Sequence, residues 1–137
     1  MAIYGVGTKI NNRQVRDLMI GGDIIGTGWS ISDAADLHEV FRYMNTGDIV
    51  FLKSCSYSSD IQVYAIGLVV DNQILSSYHN PLIEIGRRVR WYSLQHFRIS
   101  KPSDTKFNVR GNTVYQEFHP TVNAAIMAEL SLFIGPL

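Results

Sequence analysis

The chain has a single cysteine, Cys55, in 137 residues. One thiol excludes an internal disulfide framework and fits a reducing compartment. No apolar run reaches the length of a membrane span. The N-terminus lacks a basic stretch followed by an apolar one, so no secretory signal is expected. These absences lead to the expectation of a cytoplasmic protein with no membrane partner. Charge of one sign is also missing: Lys+Arg and Asp+Glu balance at 12 each. A broad, non-specific nucleic-acid surface needs a basic excess, so the balance argues against one. It leaves room for a pocket that takes one nucleotide. The four histidines, His38, His79, His96 and His119, are scattered without metal-ligand spacing. The glycine-rich GTGWS at positions 26–30 lacks the lysine and the length of a P-loop, and no G-x-G-x-x-G is present. No metal, no cofactor and no catalytic constellation are therefore expected. Ser54, Cys55 and Ser56 are nucleophile types, but no base or oxyanion partner can be assigned to them.

What is there is organised around Gly47 to Val70, GDIVFLKSCSYSSDIQVYAIGLVV. It contains two strands, Asp48 to Ser54 and Ile61 to Val70, joined by a polar connection. Apolar residues occupy both parities of the two runs, so both sheet faces are expected to be covered. Gly67 interrupts the second run and marks a bend, a bulge or a close backbone approach. A partly closed barrel uses such a feature at a corner. The length supports one domain with a real core.

Along the chain, Met1 to Gly7 predicts a first strand with Ile3 and Tyr4 as packing residues. Asn11 or Asn12 is expected to cap a short helix to about Ile20, with Val15, Leu18 and Met19 on one face. A glycine-tryptophan loop, IIGTGWS, follows at 24–30. A second helix is expected from Ser30 or Ser32, with the stripe Leu37, Val40, Phe41 and Met44, and Gly47 at its C-terminal stop. RRVRWY at 87–92 alternates as a half-exposed strand, with Val89 and Trp91 on one face and Arg88, Arg90 and Tyr92 on the other. HFRI at 96–99 is a further strand candidate, and Phe107 to Val109 with Val114 to Phe118 form a candidate hairpin. Pro120 suits the first turn of a final helix whose stripe is Val122, Ala125, Ile126, Leu130 and Phe133.

The stronger functional signal is aromatic. Trp29 sits on a glycine-flanked turn, Trp91 on a strand among three arginines, and Tyr57, Tyr64, Tyr78 and Tyr92 in or near loops. Flat rings beside polar groups are what a base-stacking pocket needs, each stacked base gaining about 1–3 kcal/mol. For Trp29 the pocket reading is preferred, because a glycine-flanked loop is an odd place for a structural tryptophan. Trp91 fits the core or a pocket wall equally. Lys53 and Ser54 end the first central strand, either as a solvated strand end or as contacts to a phosphate or base edge. Arg87, Arg88 and Arg90 are a solvated strand face or, for Arg88 and Arg90, phosphate contacts. Asp48 after Gly47 is expected to serve a turn.

A helix ending Met44-Asn45-Thr46-Gly47, then GDIVFLKS, a polar loop, VYAIGLVV and RVRWY together resemble the PUA-like superfamily, most of all its EVE, ASCH and YTH-like branch. The resemblance spans roughly residues 24 to 118. It implies an α+β fold: a small, partly open β-barrel of five to seven strands flanked by two or three helices. It also implies a modified-base or nucleotide pocket between barrel and helices, walled by Trp29 with Ser30, Lys53 with Ser54, and Trp91. Tyr57 is a further ligand-contact candidate, since it lies in the loop that follows Ser54. The expected function is a non-enzymatic module for a nucleotide, a modified nucleobase or a short nucleic acid. One version sequesters a free, even cyclic, signalling nucleotide, as a phage or bacterial counter-defence protein would, and a homo-oligomer is compatible with it. The second class is an ASCH-like hydrolase of RNA or nucleotides using Lys53 with Ser54 or Tyr57. The third is a protein-interaction domain with an exposed apolar patch and no concave aromatic site.

Overall fold

The computed structural model describes residues 1–55, 60–103 and 112–135. Its first strand, β1 (Ile3–Gly7), is followed by a two-residue hairpin, β2 (Lys9–Ile10) and β3 (Arg13–Gln14), and by helix α1 (Arg16–Gly22). Strand β4 (Ile24–Thr27), helix α2 (Ala35–Tyr43) and the central strands β5 (Ile49–Ser54) and β6 (Ile61–Val69) come next. Strands β7 (Ile85–Ser93), β8 (Phe97–Ile99) and β9 (Val114–Gln116) precede helix α3 (Pro120–Ile134). One seven-stranded sheet runs β4-β7-β6-β5-β1-β9, with β8 also on β6. It curls into a half-barrel, so the fold is α+β with a small, partly open barrel and, among the described residues, three helices.

The central pair shows why both parities are apolar. Val50 and Leu52 of β5 face one side, where Val15 and Met19 at α1 and Phe41 and Met44 at α2 complete one core cluster. Ile49 and Phe51 face the other way, onto Val122, Ile126 and Leu130 of α3. Helices thus cover both faces of the sheet. β1 and β5 pair in parallel, Ile3 opposite Ile49, and the other pairings of this sheet are antiparallel. The β6–β7 register shifts between Ile66 and Gly67, and a Cβ on Gly67 would lie 2.4 Å from the Arg90 carbonyl oxygen. The irregularity expected at Gly67 is therefore a bulge where two backbones close up.

Several local expectations are corrected. Asn11 and Asn12 do not cap a helix. Both adopt left-handed φ (51° and 62°) and form the two-residue turn between β2 and β3, a turn that asparagine tolerates at little cost. The helix starts later, at Arg16, and of its expected stripe Val15 and Met19 are buried while Leu18 is exposed. Residues 24–27 are not a loop but β4, antiparallel to β7. Helix α2 begins at Ala35, after Ser30 and Ser32, and ends at Tyr43. Gly47 therefore does not stop the helix. At φ +90° it occupies the third position of the Asn45–Asp48 turn, closed by Asp48 N–H to the Asn45 carbonyl. Asp48 serves that turn as expected, its buried carboxylate accepting from the Asn45 and Ala2 amides. In α3, Phe133 is exposed although Val122, Ile126 and Leu130 are buried. β9 pairs antiparallel with β1, and Phe107 to Val109 lie outside the described residues.

The largest correction is Arg87. It is not part of a solvated strand face: it is 1% exposed. Its guanidinium donates to the Phe41 carbonyl (2.8 Å), to the Met44 carbonyl and to the Asp71 carbonyl (2.7 Å). Two of these oxygens are at the C-terminal end of α2, where a cation complements both the carbonyls and the helix dipole. Burial pushes the guanidinium's pKa below its ordinary value, and nearby Asp71 and Asp48 oppose that shift.

Candidate functional site

Trp29 lies just past the end of β4, and its backbone is held from two sides. Its N–H donates to the Thr27 hydroxyl at 3.3 Å, and its carbonyl accepts from His38 Nε2 at 2.6 Å. Thr27 and His38 are themselves buried. The indole they carry is 55% exposed. It rims a cavity of about 340 Å³, whose other walls are Lys9, Ile10, Asn11, Asn12, Thr27 and Gly28. At the base of the cavity Gly28 packs directly against β2: a Cβ there would come 2.6 Å from Ile10 Cγ2.

Lys53 closes a neighbouring site. It ends the buried run of β5, just after a register shift between Leu52 and Lys53. The side chain is buried, its Nζ donates to the Asn112 carbonyl at 2.5 Å and lies 5.2 Å from the centre of the Tyr115 ring. Desolvation pushes its pKa down to about 8, with the Cys55 thiol pulling the other way. Lys53, Ser54, Cys55, Thr8, Lys9 and Asn112 are among the walls of a cavity of about 230 Å³. Lys9 lines both cavities, so the two are neighbours across one exposed lysine of the hairpin.

The structure thus brings Trp29 and the Lys53–Ser54 end to adjacent sites bridged by Lys9. Ser54 Oγ hydrogen-bonds the Tyr64 hydroxyl at 2.8 Å. The remaining ligand-contact candidates go elsewhere. Ser30 turns to Ser32 and Asp33, and accepts from the Asp33 amide to close a local turn. Trp91 packs half-buried against the core cluster of Val50 and Leu52, and its indole N–H donates to the Met19 carbonyl at 3.1 Å. It lines neither of these cavities. Arg88 and Arg90 line a third, separate hollow. Tyr57 lies outside the described residues.

Four residues of the site escape a reading by sequence alone. Lys9, Asn11 and Asn12 belong to a hairpin too short to leave a strand pattern, in a stretch with helical spacing. His38 did leave a signal: it shares the inward face of α2 with Phe41, three residues on, and both are buried. A polar ring on an apolar stripe needs a partner, and this one finds the Trp29 carbonyl.

Among the described residues no cluster of three His, Cys, Asp or Glu side chains is placed to hold a metal, and no helix is long and apolar enough to cross a membrane. No protein-family model and no curated protein matches the chain.

Proposed function

We propose that this protein is a PUA-like, EVE/ASCH/YTH-like binding module that holds a nucleobase-bearing ligand by stacking on Trp29. The observation that carries the reading is the exposed indole fixed at the rim of a cavity. An indole left 55% exposed gives up burial energy that a core position would recover. The buried His38 and Thr27 nevertheless hold its backbone in place. Asn11 and Asn12 supply amides suited to the hydrogen-bonding edge of a base. Lys9, between the two cavities, and Lys53 in the second are cations suited to a phosphate. The neutral net charge favours a free nucleotide or single modified nucleoside over a long strand, whose binding rests on many phosphate contacts.

The test is thermal shift and calorimetry with mono- and cyclic nucleotides, modified nucleosides and short methylated DNA and RNA. A ligand raises the Tm by binding the native state. Trp29→Ala is expected to weaken that ligand about tenfold or more, from the loss of one stacked base, with the fold unchanged. No shift with any base-bearing ligand rejects the reading. A hydrolase reading has one observation behind it: Lys53, its pKa near 8, shares a cavity with Ser54. It predicts turnover of a labelled nucleotide that Lys53→Ala abolishes, which the binding module does not show.

A further inference from the structure

Outside the Trp29–Lys53 region, the concave feature with the most directed polar chemistry lies on the outward face of β7. Strand alternation sends Val89 inward and Arg88 and Arg90 outward. At two residues' separation the two arginines sit about 7 Å apart along the strand. They rim a hollow of about 440 Å³. Its apolar wall comes from Ile24, Val70 and Leu75, and His79 lines it as well. The imidazole is oriented through Nδ1, which accepts from the Ser76 amide at 3.1 Å.

The two guanidiniums are only lightly engaged. Arg88 reaches Asp71 through Nε alone, at 3.9 Å and with both side chains partly exposed, a geometry of little energetic weight. Arg90 has no ion pair among the described residues and leans on the Tyr92 ring, 5.1 Å from its centre. The planar donor forks of both arginines therefore remain open to an oxyanion. Asp23 also lines the hollow and supplies an acceptor for a hydroxyl or amine on the same ligand.

This hollow is not the phosphate end of the Trp29 cavity. Among the described residues the two share no lining residue. Ile24 pairs with Arg88 at one end of β4 and Thr27 stands at the other, about 10 Å away at strand rise. We propose that the Arg88–Arg90 hollow is a second, independent binding site for a small ligand that carries a phosphate or carboxylate on an apolar body. The apolar wall beside the two arginines favours a small ligand with an apolar body. The neutral net charge of the chain offers no extended track for a strand. This site does not depend on the base-binding reading of Trp29.

The test is an NMR titration of the whole chain with phenyl phosphate and with benzoate at low salt, following the arginine Nε–H, the Trp29 indole N–H and the backbone amides. Saturable shifts of the Arg88 and Arg90 signals are expected with at least one probe at millimolar concentration, and which probe binds identifies the oxyanion. Arg88→Gln with Arg90→Gln is expected to weaken binding by about tenfold or more, from loss of charge-assisted hydrogen bonds. Both residues are exposed, so the fold is expected to persist. Trp29→Ala is expected to leave these shifts intact. The site is overturned if neither probe gives a saturable shift, if the double variant binds as the parent does, or if Trp29→Ala removes the effect. It is equally overturned if only single-stranded oligonucleotide moves these signals, since the arginines then serve a strand.

Discussion

The chain's two tryptophans stand in regions that treat the same side chain in opposite ways. Around Trp91 the strand β7 pairs with β6 at Gly67, and the indole N–H is spent on the Met19 carbonyl of α1. That bond and the packing of the ring against the core make it part of the seam between sheet and helix. Around Trp29 the same fold fixes the backbone and leaves the ring in solvent. The comparison teaches that a tryptophan's role is decided by what meets its N–H and its faces, and not by the residues beside it in the chain. The family resemblance suggested a ligand wall at Trp91, which stands among three arginines. One of them, Arg87, is buried as a clamp on α2, and the other two point away from the core.

The contrast is broken most directly by truncation. Trp91→Ala is expected to cost about 3 kcal/mol of stability, as loss of a large half-buried ring with its hydrogen bond does. Trp29→Ala is expected to stay within about 0.5 kcal/mol, the range of exposed substitutions. Urea melts of the two variants check this, and equal losses would erase the distinction between the regions.

A comparable effect is expected at Lys53, the buried cation next to the Trp29 region. Its folded pKa near 8 lies below the ordinary 10.5. Below pH 8 the amine is charged in both states, and the cost of burying that charge is fully present. Between pH 8 and 10.5 the folded state releases the proton first, so the unfolded state holds more protons and stability rises with pH. Relative to Lys53→Met, the parent is expected to gain about 3 kcal/mol across that window. Tyr4, whose pKa burial raises above the ordinary 10.0, works in the opposite direction at the alkaline end and cancels in the difference. Parallel pH–stability slopes for the two proteins would remove Lys53 from the buried, desolvated set.

A smaller effect sharpens the picture of how Trp29 is held. His38→Ala deletes a donor beneath the Trp29 carbonyl and is expected to cost about 1–2 kcal/mol by leaving a partly buried acceptor unpaired. The same variant is expected to weaken any ligand that stacks on Trp29, whereas Trp91→Phe is not; calorimetry on the two separates a positioning effect from general loosening. The smallest perturbation is optical. In Trp91→Phe the remaining Trp29 emission is expected to be quenched readily by acrylamide, and in Trp29→Phe the Trp91 emission is expected to be protected. Similar quenching constants would contradict the exposures on which the contrast rests.

Much of the architecture was legible from local pattern. The dual-parity apolar run of β5, the glycine interruption in β6, the alternation of Arg88, Val89 and Arg90 in β7, and Pro120 opening α3 all appear where the pattern put them. Two signals misled for identifiable reasons. Val15, Leu18 and Met19 keep helical spacing, and that hid the hairpin turn at Asn11 and Asn12, because a two-residue strand has too few positions to show a period of two. Arg87 follows the arginine-rich look of its strand, yet its position in the alternation is the inward one it shares with Val89. At the site, Trp29 and Lys53 were singled out by residue type and context, while Lys9, Asn11, Asn12 and His38 came to them only through folding.

By itself the order of residues determined which segments become strands and helices, and which of their faces leave water, because hydrophobic periodicity is a local property of the chain. Only the tertiary structure decided that one indole N–H is met by a carbonyl 72 positions away while the other indole is left bare at the edge of a hollow. It likewise decided that a strand arginine clamps a helix 43 to 46 positions earlier. The physical reason is that a polar group's fate depends on the partner that reaches it, and partners distant in the chain are chosen by the packing of whole elements.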